Sequence, residues 1–169
     1  MRITGNRIDA MVRLLMKGRH ALFCLLAGAA ILSVGQSSCS RTHVPPVNAT
    51  GEGIAIKGYD PVAYFTEMKP TQGMEQFEYV WKGARWRFAS AEHRDLFKAD
   101  PEKYAPRYGG YCAYAVSQGK TADIDPEAWT VFEGRLYLNL NKDVQHLWEK
   151  DKGAYIRKAD KNWPAISAR

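Results

Sequence analysis

A chain of 169 residues, 46% hydrophobic and 12% aromatic, has room for one domain with appendages. Its formal charge of +6 is uneven: residues 1–39 carry five basic residues and one acid, leaving 19 basic and 17 acidic residues over 40–169. A folded part so nearly balanced lacks the clustered basic footprint of a nucleic-acid binder.

Arg2, Arg7, Arg13, Lys17 and Arg19 precede an apolar run of 14 residues, Ala21 to Val34. A basic segment followed by such a run is the pattern of a secretory signal. The run is short for a membrane span, which needs about 20 residues at ~1.5 Å per residue; a short uncleaved anchor is the alternative. Met11 or Met16 could be the true start. Ser33-Val34-Gly35 offers small residues for cleavage near residue 35, whereas Ser37-Ser38-Cys39 resembles the end of a lipobox and would make Cys39 a lipidated terminus. Gln36 stands where a lipobox prefers an aliphatic residue. Residues 1–39 thus read as a signal and 40–52 as a flexible tether, since polar, Pro-containing sequence buries no core. The expected location is outside the cytoplasm, periplasmic or anchored facing the periplasm, with membrane contact only through an N-terminal lipid or an uncleaved signal.

Residues 53–166 read as the domain. Ile54-Ala55-Ile56 predicts a short strand. Asp60 and Pro61 are a helix cap and first helical residue for a short helix carrying Val62, Ala63, Tyr64 and Phe65. Phe77, Tyr79 and Trp81 alternate with polar neighbours, as do Trp86 and Phe88 after Lys82-Gly83-Ala84, which is a β-hairpin with an aromatic face. Ser90 caps a helix to about Lys98, with Leu96 and Phe97 inward. Asp100-Pro101 starts a further helical turn. Gly109-Gly110 breaks the chain before a short helix over Tyr111 to Gln118, and Thr121 to Pro126 reads as loop. Trp129–Phe132 and Arg135–Leu138, joined by Glu133-Gly134, predict a second hairpin. Asn141 caps a helix bearing Val144, Leu147 and Trp148. Lys152-Gly153 interrupts it, and a last helix with Tyr155, Ile156, Ala159 and Trp163 stops at Pro164. Hairpins and helices without βαβ alternation give an α+β class: two β-hairpins forming antiparallel sheet, packed by short helices and a C-terminal helical segment.

Several of these landmarks fall in a familiar order. Asp60-Pro61-Val62, the hairpin ending Trp86-Arg87-Phe88, Ser90, Phe97 and Asp100-Pro101-Glu102-Lys103-Tyr104 together resemble the YHS domain, with the resemblance covering Gly58 to Pro106. Gly109 to Gly119 and the second hairpin resemble the extension of exported YHS-containing proteins, often lipoproteins. The resemblance implies metal handling, often of copper. Thiol-rich members carry cysteines where this chain has Ala63, Ala89 and His93, so two of the three family donors are absent. His93 could still ligate through a neutral imidazole; the alternative is a surface histidine without a role.

Cys112 is the one cysteine of the domain, Cys24 and Cys39 lying in the first 39 residues. Opening a helix after Gly109-Gly110-Tyr111, it could be a thiolate of lowered pKa and hence a ligand or nucleophile. Its neighbours Tyr111, Ala113, Tyr114 and Ala115 equally suit a buried small hydrophobe. Asp60 is first a helix cap and could also join a site. His43 lies in the tether, and His146 reads as solvated. The tyrosines Tyr59, Tyr64, Tyr104, Tyr108, Tyr111 and Tyr114 read as core and rim.

No phosphate-cradling Gly motif, nucleophile elbow, zinc-binding His-Glu helix or paired-carboxylate pattern occurs. The expectation is a non-catalytic binding module for a transition metal, copper or zinc, held by Cys112, His93 and Asp60. A homodimer would double the Cys112 and His93 donors to four. The alternatives are a structural or interaction domain that has lost the metal, or a thiol-dependent redox or small-molecule enzyme centred on Cys112.

Overall fold

The computed structural model describes residues 44–168; the expected signal, Cys24, Cys39 and His43 lie outside them. The domain is α+β. Strands β1 (Met74–Trp81) and β2 (Ala84–Phe88) form one antiparallel hairpin, and β3 (Asp125–Phe132) and β4 (Arg135–Asn139) a second. Six helices accompany them: α1 (Ala63–Thr66), α2 (Ala91–Ala99), α3 (Pro101–Tyr104), α4 (Ala113–Ser117), α5 (Lys142–Glu149) and α6 (Lys152–Ser167). Each hairpin turns through two residues of positive φ, Lys82-Gly83 and Glu133-Gly134, the turn geometry whose twist matches that of the flanking strands. The second hairpin starts earlier than the aromatic alternation suggests, because Asp125 already pairs with Asn139.

Phe97, fully buried on α2, is the centre of the first core. Its ring lies 5.1 Å from Trp86, 5.2 Å from Phe88 and 5.7 Å from Trp81, centroid to centroid. The aromatic face of the first hairpin is thus closed by α2, each buried large apolar side chain contributing about 1.5–3 kcal/mol of transfer free energy. A second core gathers Tyr108, Tyr137, Trp148, Ala159 and Ile166 under α5 and α6. Tyr64 ties α1 to the second hairpin: its hydroxyl donates to the Pro126 carbonyl at 3.0 Å and its ring sits 5.3 Å from Trp129.

Three caps form as expected, whereas the helix expected from Pro61 begins at Ala63, with Val62 at its cap position and Pro61 in the preceding turn. Ser90 accepts from the His93 N–H, Asp100 from Lys103 and Asn141 from Val144. Three further expectations need correction. Ile54-Ala55-Ile56 is not a strand: Ile54 and Ala55 make isolated bridges and Ile56–Gly58 is a 3₁₀ turn, with Ile56 itself at φ 40°. Pro164 does not end α6, which runs on to Ser167. Near a helix end the missing proline N–H forfeits one bond, and the Ala168 N–H still closes the last turn onto the Pro164 carbonyl. Residues 44–52 are not a free tether, because Val47 is buried and Asn48 N–H donates to the Gly109 carbonyl at 2.8 Å. Gly109, at φ +62°, permits that docking: a Cβ there would stand 2.1 Å from the Pro46 carbonyl oxygen.

Candidate functional site

Asp60 lies just before α1 and its carboxylate is fully buried. Oδ1 accepts from the backbone N–H of Val62 at 2.8 Å and of Ala63 at 3.3 Å, which is the capping role. Oδ2 accepts from the Ala89 N–H at 2.8 Å and from Nδ1 of His93 at 2.6 Å. One carboxylate thereby joins the start of α1, the end of β2 and the first turn of α2. A buried charge is tolerated only when its lone pairs are met in this way.

Facing an ionised carboxylate, which only accepts, Nδ1 donates; a neutral ring held in this way has its lone pair on Nε2. That nitrogen lies 3.3 Å from the Thr66 hydroxyl and 3.9 Å from Oε1 of Glu67. The other oxygen of Glu67 accepts from the Thr71 hydroxyl at 3.0 Å and pairs with Lys69 at 3.3 Å. The Thr71 bond, then Lys69, holds the Glu67 carboxyl below its ordinary pKa. The His93 side chain is 12% exposed, so it is not the free surface histidine that its charged neighbours Glu92 and Arg94 suggest.

Cys112 is elsewhere. It is 1% exposed, precedes α4, and its Sγ faces the side-chain oxygen of Asn139 at 3.8 Å. Burial pushes the thiol pKa up, outweighing the opposite pull of the Ala115, Leu140 and Tyr114 backbone N–H groups. The expected lowering at a helix start is therefore reversed, and Cys112 is the buried small hydrophobe of the two readings. Among the described residues no three His, Cys, Asp or Glu side chains assemble into a metal-holding group. The structure thus brings Asp60 to His93 and leaves Cys112 apart. His146 lies on α5 and is exposed.

This donor set does not suit a soft, thiolate-bound ion. Ala63 and Ala89 supply no side-chain donor, and Asp60 spends both oxygens on hydrogen bonds. What remains is a nitrogen–oxygen pair, His93 Nε2 and Glu67 Oε1. Two ligands at about 2.1 Å from a tetrahedral ion stand about 3.4 Å apart, so the 3.9 Å separation is closed by a small rotation of the solvent-facing Glu67. A histidine that donates its second N–H to a carboxylate is a common arrangement behind a metal ligand. Glu67 and Thr66 escape a reading of the sequence because no motif marks them; their place beside His93 comes from the Asp60 and Thr66 contacts that bring the His93 ring to α1.

Residues 62–108 match the YHS domain family. Over that stretch the chain is similar to a YHS domain. Its match begins two residues after Asp60 and ends within the Arg107–Gly110 turn, so Asp60 lies just outside it and His93 well inside. No curated protein and no solved structure matches the chain.

Proposed function

We propose that the chain is an exported, non-catalytic binding module whose YHS-like domain takes a transition metal ion at the imidazole edge of His93. In this reading Nε2 of His93 and the Glu67 carboxylate are the protein donors, and Asp60 orients and polarises the ring from behind without ligating. The observation that carries it is the 2.6 Å contact from Asp60 to Nδ1, which leaves Nε2 as the basic nitrogen. Imidazole and carboxylate select borderline ions, Zn(II) or Cu(II), over Cu(I), which prefers sulfur. Two protein donors give modest affinity, with solvent or a second copy completing the coordination. The family's association with metal handling supports the reading, and so does the signal-like N-terminus for a location outside the cytoplasm.

The test is equilibrium dialysis of the full-length chain against Zn(II), Cu(II) and Cu(I), with bound metal counted by elemental analysis. One ion per chain or per dimer, lost in His93→Ala, reduced in Glu67→Gln and kept in Cys112→Ser, is the expected result. No retention by a folded wild-type chain, or loss only in Cys112→Ser, overturns it.

A second reading has an observation of its own. Asp60 knits α1, β2 and α2 through four hydrogen bonds, so the pair would persist in a domain that had kept the fold and lost the metal. Full retention of stability in His93→Ala would speak against that purely structural role.

A further inference from the structure

A cavity of about 390 Å³ opens where residues 46–47, the end of β1, the Arg107–Gly110 turn and α6 converge. Trp81, Trp86, Tyr108 and Trp163 line it, with Lys82 and Arg107 among its charged residues. We propose that this cavity binds a small planar aromatic carboxylate.

Its size falls in the range of small-molecule sites, which are apolar with a few polar groups that set orientation. The aromatic lining falls in two pairs: Trp81 and Trp86 are 5.8 Å apart and Tyr108 and Trp163 are 6.0 Å apart, centroid to centroid. Three indoles and a phenol favour a flat π-system, which stacks offset or edge-on against such rings. Small residues, Ala105 and Gly109, leave the space between them.

The charges select the other end of the ligand. Lys82 and Arg107 line the cavity with one acid, Glu102, and each cation also has a carboxylate partner, so an anion is met by their remaining N–H donors and not by a surplus of charge. Lys82 Nζ sits 4.2 Å from the centroid of the Trp81 ring while pairing with Glu102 at 2.8 Å. Arg107 lies over Tyr108 at 5.5 Å and gives one nitrogen to Asp160 at 2.9 Å. A guanidinium has five N–H donors in a planar fork, so that single bond leaves donors for a carboxylate. Both cations are already held against the aromatic walls, which places the anion-binding groups beside the stacking surface. The site is separate from His93 and does not depend on the metal reading.

The probes are 1-naphthoate and its neutral counterpart 1-naphthalenemethanol, titrated into the full-length chain by calorimetry. Indole N–H resonances, one for each of the five tryptophans, report the location. Saturable naphthoate binding is expected, with the Trp81 and Trp163 signals moving and those of Trp129 and Trp148 fixed. Arg107→Gln, and separately Lys82→Gln, should weaken naphthoate about tenfold, the worth of one charge-assisted bond, and change the neutral probe less than about threefold. His93→Ala should leave both unchanged. No saturable binding at millimolar ligand, movement of Trp129 or Trp148 instead, or equal loss of both probes in both charge variants overturns the proposal.

Discussion

Replacing Asp60 by alanine should be among the most costly single changes in the first hairpin region. The substitution strands the N–H groups of Val62, Ala63 and Ala89 and releases His93. The two N–H groups at the start of α1 amount to a lost cap, worth about 0.5–2 kcal/mol. The Ala89 N–H, orphaned at a half-buried position, costs about 1 kcal/mol, the low end for an unmet donor. The imidazole bond to a charged acceptor adds about 1.5–3 kcal/mol. Relief of the buried carboxylate's desolvation offsets part of this, leaving a net loss of about 3–5 kcal/mol by these magnitudes. A domain's whole stability is about 5–15 kcal/mol. With a urea slope of about 2 kcal/mol per molar, the denaturation midpoint should fall by about 2 M. Asp60→Asn should cost about half as much, because it keeps an acceptor for the α1 cap and inverts only the oxygen facing Ala89 and His93. The assay is urea denaturation followed by circular dichroism and by tryptophan fluorescence, with coincident transitions. A midpoint for Asp60→Ala within about 0.5 M of the parent, a change of about 1 kcal/mol, would refute the four-bond account.

Three further outcomes follow from other parts of the molecule. Cys112 should resist alkylation by iodoacetamide at pH 8 in the folded chain and react fully in urea, since burial raises its pKa and the thiolate is the reactive form; rapid labelling at Cys112, read by peptide mapping apart from Cys24 and Cys39, would contradict its placement. Gly109→Ala should destabilise by about 2–4 kcal/mol, combining a left-handed backbone with a clash at the Pro46 carbonyl, and should raise proteolysis near residues 44–52. Burial, with smaller contributions from neighbouring Tyr59 and acidic residues, raises the Tyr64 pKa above its ordinary 10. The folded state then holds a proton that the unfolded state loses, so this contribution is complete below about pH 10 and falls as pH rises further. Tyr64→Phe should lower stability by about 1 kcal/mol at pH 7 through its lost bond to Pro126 and flatten the decline above pH 10, measured by urea titrations across that range.

Much of the fold is legible in the chain because its signals are local. The aromatic alternation through Phe77, Tyr79 and Trp81, answered by Trp86 and Phe88, specifies both hairpin register and core face. Ser90, Asp100 and Asn141 mark helix starts because a short polar side chain can reach the free N–H groups of a first turn. Pro164 misleads because a proline near a helix end loses little. The docking of Val44 to Glu52 depends on Gly109 and Tyr111, more than 60 residues away in sequence for the Tyr111 hydroxyl bond to Pro45, and no local pattern announces it. The site divides in the same way. Asp60 and His93 stand out by type and by family position, yet their contact spans 33 residues. Cys112 draws attention by its chemistry, whereas its packing against Asn139 withdraws it. Glu67 carries no motif at all and becomes relevant only once the His93 ring is brought to α1.

The central claim is that Asp60 fixes His93 with its proton on Nδ1 and its lone pair on Nε2, ready for a borderline metal ion. Two-dimensional nitrogen–proton correlation of the ¹⁵N-labelled imidazoles, recorded with and without Zn(II), tests it most directly. Nδ1 of His93 should appear protonated at neutral pH in the free chain and stay so, while Zn(II) moves Nε2 alone. A ring protonated on Nε2 in the free chain, or Zn(II) acting only at His43 or His146, would contradict it.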